Sequence, residues 1–168
     1  ALLGQRHRKA RRRLDDARIH AAEGLSLGLE TGNENVVLVD HGILAAVAAV
    51  RGEERTCRDE AEAALLGAID RSNRDAMNWA DLALGHLDLS LGRPEASDRL
   101  ESIWTRPWIG EPRLIGAADA VEAAIRAGRG EVARARLTDL QRWTAETGAS
   151  WALPLVERCR ALVSTDAD

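Results

Sequence analysis

The chain has 168 residues, and its 27 acidic residues outnumber its 23 basic ones, which gives a formal net charge of −4. An acidic excess argues against nucleic-acid binding as the main task of the chain. Two cysteines, Cys57 and Cys159, form neither a disulfide framework nor a metal-ligand spacing, so we expect reduced core thiols. The most apolar run, 36–50, contains Asp40 and His41 and is shorter than the ~20 residues of a membrane span.

The first part of the chain shows helical segments separated by short breaks. Residues 1–11 are predicted to be a tail or the remnant of a preceding helix, and a helix follows from Leu14 to about residue 30. Apolar residues on most of the circumference over 34–50 indicate a helix that is covered on several sides. A third helix is predicted over about 54–70.

A helical hairpin over 73–104 is the clearest unit of the sequence. Gly92 can adopt the left-handed conformation that ends a helix, and Pro94 fits the first turn of the next one. The first helix carries an apolar stripe at steps of three and four, which consists of Ala76, Ala80, Ala83, Leu84, Leu87 and Leu91. Such a hairpin cannot bury both faces alone and therefore predicts copies of itself on either side.

Beyond Trp104 the sequence predicts a loop over 105–112 and then three more helices, over about 112–127, 131–146 and 150–163. Breaks recur in two interleaved series, at 32, 72, 110 and 148 and at 12, 52, 92 and about 130. A hairpin that recurs every ~34–47 residues is typical of tetratricopeptide-like α-solenoids. We therefore predict an all-α, tetratricopeptide-like right-handed α-solenoid of about seven to eight helices over 12–163, with a linker over 164–168.

Three stretches are more specific than the general tetratricopeptide pattern: RLDDARIHAAEGLSLGLETGN, LGHLDLSLGRPEASDRL and AADAVEAAIRAGRGEVARARLTDLQRWTAETGASWALPLVERCRALVS. They resemble the helical repeat region of large bacterial LuxR-type, MalT-like transcriptional regulators, over about residues 12–165. In that family the region lies between a nucleotide-binding domain and a helix-turn-helix, transmits signals and, in some members, binds an inducer or partner protein. The chain has no G-x-x-x-x-G-K-[ST] phosphate loop, so the resemblance implies no nucleotide site here.

Alignment of the first helices of successive hairpins places four polar residues in one column: His41, Asp81, Asp119 and Glu157. The first helices of each pair usually line the concave surface of a solenoid. We call these four residues the polar column, and they predict a groove for a cationic or hydroxyl-rich ligand or a basic peptide. The alternative is a solvated helix face whose polarity reflects only exposure.

A second stripe on the central helix contains Trp79 and His86. It predicts either an aromatic wall for a ligand or a face that packs on the preceding hairpin. His86 does not form a catalytic dyad with a nearby aspartate, because no serine or cysteine nucleophile lies in a matching pattern.

Tryptophans and a basic run give further alternatives. Trp104 and Trp108 predict either a docking loop for a partner or, at Trp104, a plug between hairpins. Trp143 and Trp151 are expected in the core. The run Arg6–Arg13 either contacts phosphates or forms a solvated helix face.

The sequence thus predicts a non-catalytic sensory or protein-interaction module of a cytoplasmic LuxR-type regulator. Its partner would be a protein, a peptide or a small effector, with no cofactor, no metal, no direct nucleic-acid contact and no membrane. The alternative is a stand-alone peptide-binding adaptor unrelated to transcription. Self-association through exposed terminal hairpins is also expected, because apolar residues such as Leu155 have no following helix to cover them.

Overall fold

A computed structural model describes residues 2–106 and 110–165, with side chains over 11–106 and 110–164. These residues form nine α-helices and one 3₁₀ turn, and no strand occurs among them. The helices are α1 Leu2–Thr31, α2 Glu34–Arg51, α3 Glu54–Arg71, α4 Arg74–Ser90, α5 Glu95–Thr105, α6 Glu111–Ile115, α7 Ala117–Arg126, α8 Gly130–Thr147 and α9 Leu153–Thr165. The predicted all-α class is confirmed. In the described ranges, every helix is too short or too polar to cross a lipid bilayer.

Three element bounds differ from those predicted. Helix α1 is continuous from Leu2, so residues 2–11 belong to it. The helix predicted over 112–127 is divided at Gly116, whose ψ of −2° departs from helical geometry. A glycine inside a helix destabilises it by about 1 kcal/mol relative to alanine. A 3₁₀ turn, Ser150–Ala152, precedes α9, which extends to Thr165. Residues 166–168 of the predicted linker lie outside the described residues.

Left-handed residues end the helices at a regular spacing. Positive φ angles occur at the evenly spaced positions Gly32, Gly52, Ser72 and Gly92, and the same interval separates Gly128 from Gly148. Glycine is the usual residue at this helix-ending position because it has no Cβ to clash in the left-handed conformation. Helices α2, α3, α4 and α8 are accordingly 17 or 18 residues long, whereas the interval from Gly92 to Gly128 contains three shorter helices. The predicted breaks at 32, 52, 72, 92 and 148 coincide with helix ends, but the predicted break at 12 is wrong, because α1 is continuous there.

Ser72 is the one described non-glycine residue with a positive φ, of 53°. The left-handed conformation costs an L-residue roughly 1–2 kcal/mol, a strain that glycine does not have. Glycine in turn makes the unfolded chain more flexible, which lowers the stability of the native state by about 0.4–1 kcal/mol. Ser72→Gly should therefore raise the free energy of unfolding by about 0.5–1 kcal/mol in urea titrations monitored by circular dichroism. Gly52→Ser, at the equivalent turn, should lower it by a similar amount. Equal stability of all three proteins would contradict this prediction.

The chain divides into two compact units, one up to Leu87 and the other from Asp88 onward. In the first unit α2 packs against α1 and α3, and α4 joins α2 and α3 in one core. That core is largely alanine, which lets the helix axes approach closely, and consists of Ala45, Ala48, Ala49, Cys57, Ala61, Ala64, Ala80, Ala83, Leu84 and Leu87.

In the second unit α7 packs against α5, α8 and α9, and α8 also contacts α9. The buried core of α7–α9 consists of Ala117, Ala118, Val121, Ala124, Ala133, Leu137, Leu140, Val156 and Cys159. Trp143 packs partly buried against it. The prediction that Trp151 is a core residue is wrong, because its side chain is 62% exposed. The Trp151 ring contacts that of Trp143 edge to face, at 5.6 Å between centroids.

Candidate functional site

The polar column predicted from the sequence is distributed over both units. His41 lies on α2 and Asp81 on α4, in the first unit, while Asp119 lies on α7 and Glu157 on α9, in the second. Their surroundings differ sharply, and each unit is therefore described separately.

His41 is held by a carboxylate of the neighbouring helix. Its Nδ1 lies 2.6 Å from Oε2 of Glu60 on α3, and both side chains are about one quarter exposed. When Nδ1 donates its proton to Glu60, the imidazole orientation is fixed and Nε2 is the nitrogen that remains for a ligand. Sequence reasoning missed Glu60, because a partner on another helix, distant along the chain, leaves no local signal.

Asp40 is a further titratable group of this region. Burial raises the pKa of its carboxyl group, and the neighbouring His41 partly opposes that rise. The carboxylate occupies the space beside Gly24 of α1, where an added Cβ would clash with Asp40 Oδ2. Gly24 therefore makes room for an acidic group at the α1–α2 contact.

Asp81 is only 7% exposed, so it does not belong to a freely solvated helix face. Trp79 and His86, on the second stripe of the same helix, are half-buried. The Cβ of Trp79 would lie 2.6 Å from a Cβ added at Gly42 of α2. Trp79 thus packs against α2 of the preceding hairpin. This is the second of the two interpretations of the stripe.

The two column residues of the second unit differ in exposure. Glu157 is exposed and accepts a hydrogen bond from Arg160, 2.5 Å away and one turn later. Asp119 is half-buried. On the same helix as Asp119, Glu122 binds the guanidinium groups of both Arg126 and Arg158, so it links α7 to α9. Glu122 had not been singled out in the sequence.

Two arginines contact the ring of Trp104. The guanidinium carbon of Arg136, from α8, is 5.3 Å from the centre of the indole ring, and that of Arg113, from α6, is 5.9 Å away. These distances fit cation–π contacts. Arg136 also contacts Glu101 at 3.3 Å and Asp139 at 2.7 Å. Trp104 is thus a half-buried packing residue of the second unit, whereas Trp108 lies outside the described residues.

Arg113 additionally caps the C-terminal end of α5. Its Nη2 donates to the carbonyl oxygens of Ile103, Trp104 and Arg106 at 3.2, 3.0 and 3.3 Å. Helix-terminal carbonyls lack intrahelical donors, and a charged donor satisfies them more strongly than a neutral one does. The side chain therefore fixes the start of the loop that follows α5.

Both cysteines are buried and free, as predicted. Burial raises the pKa of the Cys159 thiol to about 11, with Asp119 and Glu122 adding to the rise and Arg158 opposing it. Because the native state disfavours the buried thiolate, the protein is most stable while the thiol is protonated, below pH ~9. This contribution to the free energy of unfolding is lost as the pH rises toward 11.

We expect negligible reaction of Cys159 with a disulfide reagent at pH 8, because the thiolate is the reactive form. Ellman's reagent should modify no thiol in the native protein within minutes and both thiols in 6 M guanidinium chloride. The unfolding free energy of the wild type should fall more between pH 9 and 11 than that of Cys159→Ala. Rapid native labelling or parallel pH profiles would contradict this assignment.

The contacts described for these residues are ion pairs and hydrogen bonds. Among the described residues, no group of three or more His, Cys, Asp or Glu side chains is placed to hold a metal ion. The fold and the site thus define an all-helical protein with carboxylates and a histidine on four of its helices. No protein-family model, curated protein or solved structure matches the chain.

Proposed function

We propose that the chain is a sensory or protein-interaction module, built as a tetratricopeptide-like right-handed solenoid, of a cytoplasmic LuxR-type transcriptional regulator. The observation that carries this proposal is the even spacing of left-handed helix ends, at Gly32, Gly52, Ser72 and Gly92 and again at Gly128 and Gly148. Equal helix-plus-turn lengths are what repeated hairpins require if each is to pack on its neighbours in the same way.

The polar column provides the binding chemistry of this proposal. Three of its four members are carboxylates, Asp81, Asp119 and Glu157, and the fourth, His41, is tied to the carboxylate of Glu60. Asp119 and Glu157 are the carboxylates of the column that solvent reaches, whereas Asp81 is buried. Accessible negative groups favour a cationic or hydroxyl-rich effector or a basic peptide. Within the second unit, a ligand that bridges Asp119 on α7 and Glu157 on α9 would change how these helices pack, and small rotations of this kind accumulate along a repeat array.

One observation supports an interaction role for the helices themselves. Apolar side chains of α1 and α3, namely Leu27, Leu29, Leu66 and Ile69, are 60–69% exposed. Large exposed apolar groups are typical of surfaces that meet other proteins.

The assignment to a regulator is tested by the coding sequence that flanks this segment. We expect a phosphate loop of the form G-x-x-x-x-G-K-[ST] upstream and a helix-turn-helix downstream in the same reading frame. A reading frame with neither would contradict the regulator and favour a stand-alone peptide-binding adaptor. The binding test that follows from the polar column applies to both possibilities.

A further inference from the structure

A cavity of about 380 Å³ lies in the first unit, away from the polar column. It is lined by the C-terminal ends of α1 and α3 and by the N-terminal half of α2. Its volume falls within the ~300–1,000 Å³ of typical small-ligand sites. None of the column residues, His41, Asp81, Asp119 or Glu157, contributes to its lining.

The apolar side chains that line the cavity are aliphatic. Leu29 comes from α1, and Val37 and Leu38 come from α2. No aromatic side chain is among the lining residues. Leu29 is 66% exposed, so a ligand that covers it gains by removing apolar surface from water. A flexible alkyl chain fits this lining better than a planar ring does.

Two glycines let α1 and α3 pack closely against α2 beside the cavity. An added Cβ would lie 2.9 Å from Val37 Cγ2 at Gly28 and 2.6 Å from Leu38 Cδ2 at Gly67. The ends of α1 and α3 therefore rest directly on α2 at these positions. Because neither glycine has a side chain, Val37 and Leu38 can pack against the backbone of α1 and α3 at the edge of the cavity.

Two charged residues line the cavity, Glu34 and Arg71, and they form an ion pair with each other. The pair is exposed, with 42% of the Arg71 side chain and 62% of the Glu34 side chain accessible. Exposed pairs of this kind contribute little to stability. Arg71 can therefore exchange Glu34 for another carboxylate at small cost, and the positive N-terminal end of α2 beside it also favours an anion.

We propose that this cavity binds an aliphatic monocarboxylate, with the alkyl chain on Leu29, Val37 and Leu38 and the carboxylate on Arg71 in place of Glu34. The inference goes beyond the proposed function, because it assigns a different site and a ligand of opposite charge. The two sites share no residue, so a failure of one has no bearing on the other.

The test is isothermal titration calorimetry of the full chain with decanoate below its micelle concentration. We expect one binding site in the wild type. Arg71→Gln should weaken binding about three- to fivefold, because the ion pair that is lost is partly exposed. Glu34→Gln should tighten binding several-fold, because Arg71 is released from its internal partner. These opposite directions distinguish the site from non-specific adsorption of an amphiphile.

Matched controls separate the cavity from the general surface. Leu29→Gln and Leu66→Gln replace leucines that are 66% and 69% exposed, so both variants should fold, as circular dichroism will check. Only Leu29 lines the cavity, and only its replacement should weaken decanoate binding. Decanol, which lacks the carboxylate, should bind more weakly than decanoate. Equal binding of the two probes, an unchanged Arg71→Gln affinity, or no binding by the wild type would overturn the proposal.

Discussion

Replacing Gly42 with alanine should lower the free energy of unfolding by about 2 kcal/mol, although alanine is the better helix former. An added Cβ at Gly42 would lie 2.6 Å from Trp79 Cβ and 3.3 Å from the backbone oxygen of Ala76. Neither atom is the end of a flexible side chain, so α2 and α4 must move apart. That movement would loosen the alanine contacts that the two helices share, among them Ala45 and Ala80.

Gly67→Ala is the matched control for this prediction. It brings the same gain in helix propensity within the same unit, and its added Cβ also meets an atom at 2.6 Å. That atom, however, is Leu38 Cδ2, at the end of a side chain that can rotate. We expect a change of less than about 1 kcal/mol in urea unfolding. Equal losses for both glycines would show that the α2–α4 contact is not specially tight.

Replacing Arg113 with methionine should destabilise the second unit by about 2–3 kcal/mol. Methionine keeps much of the apolar stem but removes the donor shared by Ile103, Trp104 and Arg106. It also removes one of the two cations that contact the Trp104 ring. The main loss comes from carbonyl groups at the end of α5 that are left without their donor. Urea unfolding monitored by tryptophan fluorescence measures the effect.

Arg134→Met is the control for charge and composition. Arg134 is exposed and pairs only one turn away, with Glu131 at 2.5 Å, so its loss should cost less than about 0.5 kcal/mol. If both variants lose the same stability, Arg113 acts through net charge and not through its carbonyl contacts. A further comparison, Arg113→Lys, retains the charge but not the planar guanidinium, and should recover only part of the stability.

Much of the helix pattern was predictable from the sequence, because the signals that end helices are local. Gly32, Gly52 and Gly92 adopt the left-handed conformation at the predicted breaks, and Asn73 caps α4 by accepting from the Ala76 amide at 3.1 Å. The break at Gly116 was missed, since a single glycine inside an apolar pattern does not by itself end a helix.

The side-chain partners were not predictable. His41 pairs with Glu60 on the next helix, and Arg51 pairs with Asp15, at 2.7 Å, across an even longer stretch of chain. Such pairs depend on how helices pack, and periodicity does not encode this. Trp151 shows the same limit, because its apolar character predicts burial only where another element covers it.

The central claim, that the polar column binds a ligand, is tested most directly by thermal unfolding against a panel of sugars and arginine- or lysine-rich hexapeptides. The wild type is compared with Asp119→Asn/Glu157→Gln, and with the control Asp59→Asn/Glu62→Gln, whose residues are exposed on α3. Asp81 is left intact, because it is 7% exposed and its loss would alter folding.

We predict that at least one probe raises the midpoint temperature of unfolding by mass action. At a probe concentration of one hundred times its dissociation constant, the stabilisation free energy is about 2.7 kcal/mol. The rise should occur in the wild type and in the Asp59→Asn/Glu62→Gln control, and it should be lost in Asp119→Asn/Glu157→Gln. No rise for any probe, or an equal rise in all three proteins, would contradict the claim.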